Sequence, residues 1–353
     1  MKISFLNRSW VIALLFISGC GIASEEVVVP EETDNNEENV ETSEVDTSNS
    51  EYTIQFAHVV NPSTAKGQAA EYFADRLEEE TEGRIAVNVY PDSQLGSDRE
   101  ITEQMQTGTI EMNAPFTGVL PSFVPQFQVY DLPYLFEDRD HAFELSNGEL
   151  GEVLNEYLLE QGLRTLGFWD GGFKQLTNSV RPIESLEDMQ GLTMRASQSP
   201  LLISQFRAWG ANGESVDFSE LYTSLEQGTV DGQENPLSNI VSQNLYEAQS
   251  YITYSDHGYM GYPLLISETF FQELPTDLQE IVVSVADETS EWQWDISEES
   301  EQEYMQTLEE SSIEIHTLSD EEREAFRDAG LSIYDQYRDS IEGGDEIIDL
   351  IEN

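Results

Sequence analysis

The chain has 353 residues, enough for two lobes with a core each, and its 39% hydrophobic content excludes an acidic disordered protein. Acidic residues outnumber basic ones by 70 to 15, a formal net charge of −55, which excludes nucleic acid and anionic lipid as docking partners. The acidic surplus favours a halophilic surface that stays hydrated in high salt, where screening weakens self-repulsion. A strongly acidic cell-surface protein from an ordinary habitat is the alternative.

The first twenty residues predict export. Lys2 and Arg8 precede an apolar run at 10–17 that is too short to span a bilayer. Residues 16–20 (FISGC) follow, with small residues before the only cysteine, and resemble the lipobox of bacterial lipoproteins. We therefore expect 1–20 to be a lipoprotein signal peptide and Cys20 to carry the lipid that anchors an extracytoplasmic protein to the membrane. A plain signal peptide is the alternative.

The next segment has the composition of a spacer. Residues 21–50 contain ten acidic residues and no lysine or arginine. Such a segment repels itself and buries little, so we expect a disordered acidic tether.

From residue 51 the pattern alternates between strands and amphipathic helices. We predict strands at 52–57 and 84–90, a further strand with its exit loop at 108–116, and helices at 69–81 and 98–107. A second series follows, with strands at 163–168 and 193–196, helices at 200–209 and 218–227, and short extended pieces at 253–254 and 263–266. The alternation indicates βαβ units, hence an α/β fold with a mostly parallel sheet.

One predicted helix is unusually long. No glycine or further proline interrupts 275–312, so the helix could reach roughly 55 Å and lie across both lobes. A strand is predicted at 313–316, and Ser319 with Glu322 has the spacing of a capping box.

Enzyme signatures are missing. The four histidines are far apart, and no nucleophile elbow, phosphate-binding loop or calcium-binding loop occurs. The sequence therefore predicts a protein that is not an enzyme and needs no cofactor or metal.

Arg195 is the first candidate for a binding residue. It ends a short apolar run in a chain that avoids positive charge. A guanidinium is a planar fork that binds a carboxylate through two parallel hydrogen bonds. An anionic ligand is the natural reason to keep such a cation.

Several motifs resemble those of the solute-binding proteins of TRAP (tripartite ATP-independent periplasmic) transporters. They are 191–195 (GLTMR), 210–211 (GA), 218–222 (FSELY) and 230–236 (VDGQENP), with further matches at 90–96 (YPDSQLG), 131–136 (DLPYLF) and 172–175 (GFKQ). The resemblance covers residues 52–340. It implies a two-lobed clamshell like that of periplasmic binding proteins, with mixed sheets, hinge strands and a long helix spanning both lobes. We expect lobe I at 51–172 plus 262–301, and lobe II at 173–261 plus 302–353.

The resemblance also implies site residues. In the family, the arginine at the position of Arg195 binds the ligand carboxylate, and Asn235 can fix the same group or a neighbouring one. Lys174 stands where many relatives have arginine, and its point charge suits a second carboxylate or a hydroxyl. The remaining candidates are cleft-lining residues, namely Phe218, Phe116, Thr117 and Trp169.

The resulting interpretation is a binding protein that delivers a small organic acid to a TRAP membrane permease. A C4-dicarboxylate is favoured because two candidate cations, Arg195 and Lys174, are expected to face one cleft. A 2-oxo acid, a sugar acid and the zwitterion ectoine remain open as ligands. A sensor module that presents its ligand to a membrane receptor is the alternative from another functional class.

Overall fold

A computed structural model describes residues 50–352. The predicted signal peptide, Cys20 and all of the predicted tether except its last residue lie outside these residues. In the part that is described, no helix is both long and apolar enough to cross a membrane.

Within residues 50–352, ten strands and eleven α-helices make up an α/β fold. The strands are β1 (Tyr52–Ala57), β2 (Ile85–Tyr90), β3 (Met112–Asn113), β4 (Leu163–Asn178), β5 (Thr193–Ala196), β6 (Asn212–Ser215), β7 (Gly232–Pro236), β8 (Tyr251–Tyr254), β9 (Tyr259–Ser267) and β10 (Glu314–Thr317). The helices are α1 (Ala65–Glu80), α2 (Asp98–Gln106), α3 (Arg139–Ser146), α4 (Glu149–Glu160), α5 (Pro200–Ala208), α6 (Leu221–Glu226), α7 (Leu237–Ser242), α8 (Glu268–Glu273), α9 (Thr276–Glu310), α10 (Asp320–Ser340) and α11 (Gly344–Glu352).

The strands form two halves that share β4. The first half has the order β2-β1-β3-β9-β4, and the second continues through β7 and β5 to β6, with β8 and β10 on the other side of β4. Strand β4 pairs with β9 as far as Phe173 and with β7 from Lys174 onward. Both pairings are antiparallel, whereas β1 with β2 and β5 with β6 are parallel. The sheet is therefore mixed, with five parallel and four antiparallel pairings among the described strands, because the strands that link the halves run against each other.

A glycine pair marks the passage of β4 between the halves. The β4–β9 ladder slips between Asp170 and Gly172, and Gly172 has a φ of +95°. At Gly171 a Cβ atom would lie 2.7 Å from the main-chain oxygen of Met260. Only glycine fits such a close backbone approach without a shift of the neighbouring strand.

The long helix is confirmed. Helix α9 has 35 residues, or roughly 52 Å at 1.5 Å per residue. It packs against α1, β4 and α7, and so reaches both halves of the sheet. The Gln293 side chain accepts from the Asp170 amide and donates to its carbonyl, both at 2.7 Å. The indole of Trp294 donates to the carbonyl of Phe168 at 2.8 Å, so the middle of α9 is bound to β4 just before the glycine pair.

Some predicted bounds differ from the observed ones. Helix α1 begins at Ala65 and not at 69, because the Thr64 side chain caps it by accepting from the Gly67 amide at 3.1 Å. Within the strand and exit loop predicted at 108–116, only Met112–Asn113 is paired. The helix predicted at 218–227 is a 3-10 turn at Phe218–Glu220 followed by α6.

The C-terminal helix returns to the first half of the molecule. Helix α11 packs on α4, and three isoleucines of α11 share a core with three leucines of α4: Ile347, Ile348, Ile351, Leu150, Leu154 and Leu158. The sequence interpretation assigned all of 302–353 to lobe II, whereas α11 lies against an element assigned to lobe I.

Candidate functional site

A narrow cleft lies between the two halves, and the centres of water-sized molecules can occupy about 50 Å³ of it. Val60, which follows β1, and Asp98, at the start of α2, line it from the first half. Arg195 on β5 and Asn235 on β7 line it from the second, and Tyr262 on β9 also borders it. The cleft therefore combines groups that are far apart in sequence.

Arg195 presents its guanidinium to this cleft. The side chain is 6% exposed, and its Nε donates to the main-chain oxygen of Val216 at 2.9 Å. Among the described residues it makes no ion pair. Burial lowers the Arg195 pKa to about 10, while the charges of Glu234 and Asp217 act in the opposite direction. The Nε bond fixes the plane of the guanidinium, so both terminal nitrogens are available to a carboxylate.

Asn235 lies in the same cleft with its amide held in place. Its Nδ2 donates to Oε1 of Gln233, and its Oδ1 accepts from Nδ2 of Asn239 at 3.0 Å. An amide nitrogen has two hydrogens, so one donor is left for another partner. The hydrogen bonds fix the direction of that donor.

Aromatic rings supply the apolar walls. Phe116 comes from the first half and is 9% exposed, while Phe218 comes from the second half and is partly buried. Both line the cleft. Apolar walls exclude water, which strengthens any ion pair formed between them.

The other three predicted site residues do not line the cleft. Trp169 is fully buried and packs against Phe56 at a ring-centre distance of 6.0 Å. Thr117 is also fully buried, and its hydroxyl has no hydrogen-bond partner in the described part of the chain. Lys174 is 1% exposed, and its Nζ lies 5.1 Å from the ring centre of Phe116, which does border the cleft.

Lys174 belongs to a buried charge network. Its Nζ lies 3.0 Å from Oε1 of Glu234, and Nε2 of His257 lies 2.7 Å from Oε2 of the same carboxylate. Burial alone would raise the Glu234 pKa, but the Lys174 charge and the His257 contact lower it to about 2. Burial raises the pKa of nearby Asp131 to about 7, against the lowering effect of Lys174. The Lys174 ammonium therefore has an internal anion as its partner.

Two buried charged residues were missed from the sequence. Lys66 on α1 is 3% exposed, and its Nζ donates to the main-chain oxygen of Ala114 at 2.7 Å and lies 4.1 Å from the ring centre of Tyr262. Burial lowers the Lys66 pKa to about 8, while Asp98 raises it. Asp98 is 7% exposed, and its Oδ2 accepts from the Phe116 amide at 3.1 Å. The scarcity of lysine was the available signal, since only Lys2, Lys66 and Lys174 occur.

The arrangement can hold an anion but offers no obvious catalytic constellation. A fixed arginine and an oriented amide face a cleft with apolar walls, as in a carboxylate-binding site. Within residues 50–352, no group of three or more histidine, cysteine, aspartate or glutamate side chains could hold a metal ion.

Comparison with known proteins identifies the family. The model of the bacterial extracellular solute-binding protein family 7 matches residues 56–340. The C4-dicarboxylate-binding periplasmic protein DctP of Rhodobacter capsulatus is 36% identical over 290 residues, covering 82% of this chain and 87% of the relative. The C4-dicarboxylate-binding protein DctB of Bacillus subtilis is 35% identical over 300 residues, covering 85% of each chain.

Solved structures agree with this assignment. A TRAP periplasmic solute-binding protein from Sulfurospirillum deleyianum with bound succinate has a TM-score of 0.82 and 37% identity, covering 86% of this chain and 99% of that one. The sugar acid-binding protein DctPAm from Advenella mimigardefordensis with galactonate has a TM-score of 0.82 and 30% identity, covering 85% and 97%. The chain therefore belongs to family 7 of the bacterial extracellular solute-binding proteins, the binding proteins of TRAP transporters, and is a transport protein and not an enzyme.

Proposed function

We propose that this protein captures a C4-dicarboxylate in the cleft between its two halves and delivers it to a TRAP membrane permease. The observation that carries the proposal is Arg195, a buried guanidinium that faces the cleft and makes no ion pair among the described residues. A buried charge without a partner is costly, and a ligand carboxylate removes that cost. Asn235 adds an oriented donor to the same site.

Relatives support this choice of ligand. The curated relatives from Rhodobacter capsulatus and Bacillus subtilis are named for C4-dicarboxylates. A solved relative from Sulfurospirillum deleyianum contains succinate, and one from Pseudomonas aeruginosa contains L-malate.

A sugar acid is the second candidate. The galactonate-bound relative has a similar fold. In this chain the Asp98 carboxylate lines the cleft, and its Oδ1 has no hydrogen-bond partner among the described residues. A carboxylate only accepts hydrogen bonds, so it suits a ligand hydroxyl.

A thermal-shift screen tests the proposal. The chain without residues 1–20, in molar salt and freed of co-purified ligand by refolding, is tested against C4-dicarboxylates, sugar acids, 2-oxo acids and ectoine. Ligands that bind the native state raise the melting temperature by mass action. We expect a shift with succinate or malate that Arg195→Gln abolishes. A folded wild-type protein that shifts with none of these acids would overturn the proposal.

Delivery and anchoring need separate experiments. Uptake of labelled succinate into vesicles that contain the permease subunits distinguishes transport from a sensor role. We further propose that Cys20 carries a lipid and holds the protein at the outer face of the cell membrane. Metabolic labelling with a palmitate analogue should mark the wild type and not Cys20→Ala.

A further inference from the structure

Buried lysine and arginine side chains are rare in the described residues. Only Lys66, Lys174 and Arg195 are buried. Lys174 makes an ion pair with Glu234, whereas Lys66 and Arg195 make none in this part of the chain. Two buried cations are therefore left without an anion in contact.

Lys66 borders a space next to the cleft. It lines a small hollow, in which the centres of water-sized molecules can occupy about 20 Å³, and this hollow shares Val60, Asn239 and Tyr262 with the cleft. The other cations and anions there are already matched, because Arg139 pairs with Asp170 and Glu301. Lys66 thus lies beside the cleft on the α1 side, whereas Arg195 lines the cleft from β5.

The hydrogen-bonding capacity of Lys66 is only partly used. An ammonium has three donors, and among the described residues one goes to Ala114 and the other two have no protein partner. Asp98 lies near Lys66 but makes no ion pair with it, and its Oδ2 accepts from the Phe116 amide. Lys66 in the hollow and Asp98 in the cleft wall thus leave polar atoms without protein partners where the two spaces adjoin.

We propose that Lys66, together with Arg195, makes the site selective for dianions: Arg195 binds one carboxylate of the ligand and Lys66 binds the other. This inference rests on the proposed function but assigns Lys66 in place of Lys174 as the second cation that binds the ligand. The sequence pointed to Lys174, but its ammonium already forms an ion pair with Glu234. Each half of the molecule then supplies one positive charge, so only a ligand with two carboxylates neutralises both.

Calorimetry with two ligands of equal size tests the assignment. Succinate has two carboxylates, whereas succinamate has an uncharged amide in place of one. Lys66→Gln should weaken succinate binding by roughly 10–100-fold and succinamate binding by less than about threefold. Arg195→Gln should weaken both strongly. The matched control is Arg207→Gln, which removes an exposed charge and should change neither by more than about twofold.

The proposed function and the role of Lys66 fail on different results. If the wild type binds neither acid, the proposed function fails. If the wild type binds succinate and Lys66→Gln binds it equally well, or loses both acids equally, only the role of Lys66 fails.

A spectroscopic test works even if the variant does not fold. Without residues 1–20 the chain has only two lysines, Lys66 and Lys174, so lysine labelled with ¹³C at Cε gives two signals. The spectrum of Lys174→Gln or of Lys66→Gln, whichever variant folds, assigns the two signals, because one of them is missing from it. Succinate should shift the Lys66 signal much more than succinamate does. A Lys66 signal that succinate leaves unchanged would overturn the inference.

Discussion

The ammonium of Lys174 lies 3.0 Å from Oε1 of Glu234, and both side chains are buried. The lysine therefore supports the motif that carries Asn235, since Glu234 and Asn235 are adjacent on β7. The Lys174 ammonium thus contacts an internal carboxylate, whereas the sequence suggested a direct contact with the ligand.

Lys174→Met should destabilise the protein by about 3–5 kcal/mol, because it leaves the buried Glu234 carboxylate without its main counter-charge. Lys174→Met combined with Glu234→Leu should recover much of that loss, since no unpaired charge remains. Urea unfolding in constant molar salt measures both. If the unfolding free energy of Lys174→Met alone lay within about 1 kcal/mol of the wild-type value, this account of the pair would be contradicted.

Arg195→Ala should weaken binding of every carboxylate ligand by about 2–5 kcal/mol, as truncation of one partner of a desolvated charge pair commonly does. Arg195→Lys should lose less, because it keeps the charge but not the planar fork. Isothermal titration with succinate measures both. Equal losses in the two variants would show that charge alone contributes nothing and that only the oriented guanidinium matters.

Succinate affinity should be constant between about pH 6.5 and 7.5 and fall above about pH 8. Burial lowers the Lys66 pKa to about 8 against the opposing charge of Asp98, so the ligand-free protein loses this proton above that pH. Binding a second carboxylate there requires proton uptake, which weakens affinity by at most about tenfold per pH unit. Arg195 titrates later, since burial lowers its pKa only to about 10.

Titrations across this range in buffers with different ionisation enthalpies measure the proton uptake directly. Lys66→Gln should bind more weakly but lose the pH dependence between 7 and 9. A wild-type affinity that stays flat to pH 9.5 would mean that Lys66 does not meet the ligand.

Asp98→Asn should tighten succinate binding by about 3–10-fold, because it removes a like charge from the wall of a cleft that holds a dianion. The amide oxygen can still accept from the Phe116 amide. Galactonate should not gain, since its hydroxyls lose a charged acceptor. A loss of succinate affinity would show that the Asp98 charge does not oppose the bound dianion, and a gain for galactonate would show that Asp98 does not accept from a ligand hydroxyl.

Local signals in the sequence were sufficient for several elements. Strands 52–57 and 193–196 have the predicted bounds, and Ser319 with Glu322 forms the expected capping box. These features depend on residues close in sequence, where side-chain alternation and capping chemistry are decisive. The placement of Arg195 at the end of β5 followed from the same kind of pattern.

Features set by long-range pairing could not be predicted. Within the strand and exit loop predicted at 108–116, only Met112–Asn113 pairs, because the length of the strand is determined by the register with β9, some 150 residues later. The pairing of Lys174 with Glu234 likewise depends on β4 lying next to β7. Whether a lysine faces a ligand or an internal carboxylate is decided by that neighbour, which no local pattern contains.

The attachment of α9 to β4 restricts how the halves can turn relative to each other. Gln293 holds both main-chain polar groups of Asp170, so the first segment of β4 and the middle of α9 move as one body. The passage of β4 into the second half begins immediately afterwards, at Gly171 and Gly172, where the ladder already slips. Glycine has the widest choice of backbone torsions, so we expect a change in the angle between the halves to bend β4 at this pair. A small local change in torsion there would move the ligand-binding groups of one half relative to those of the other.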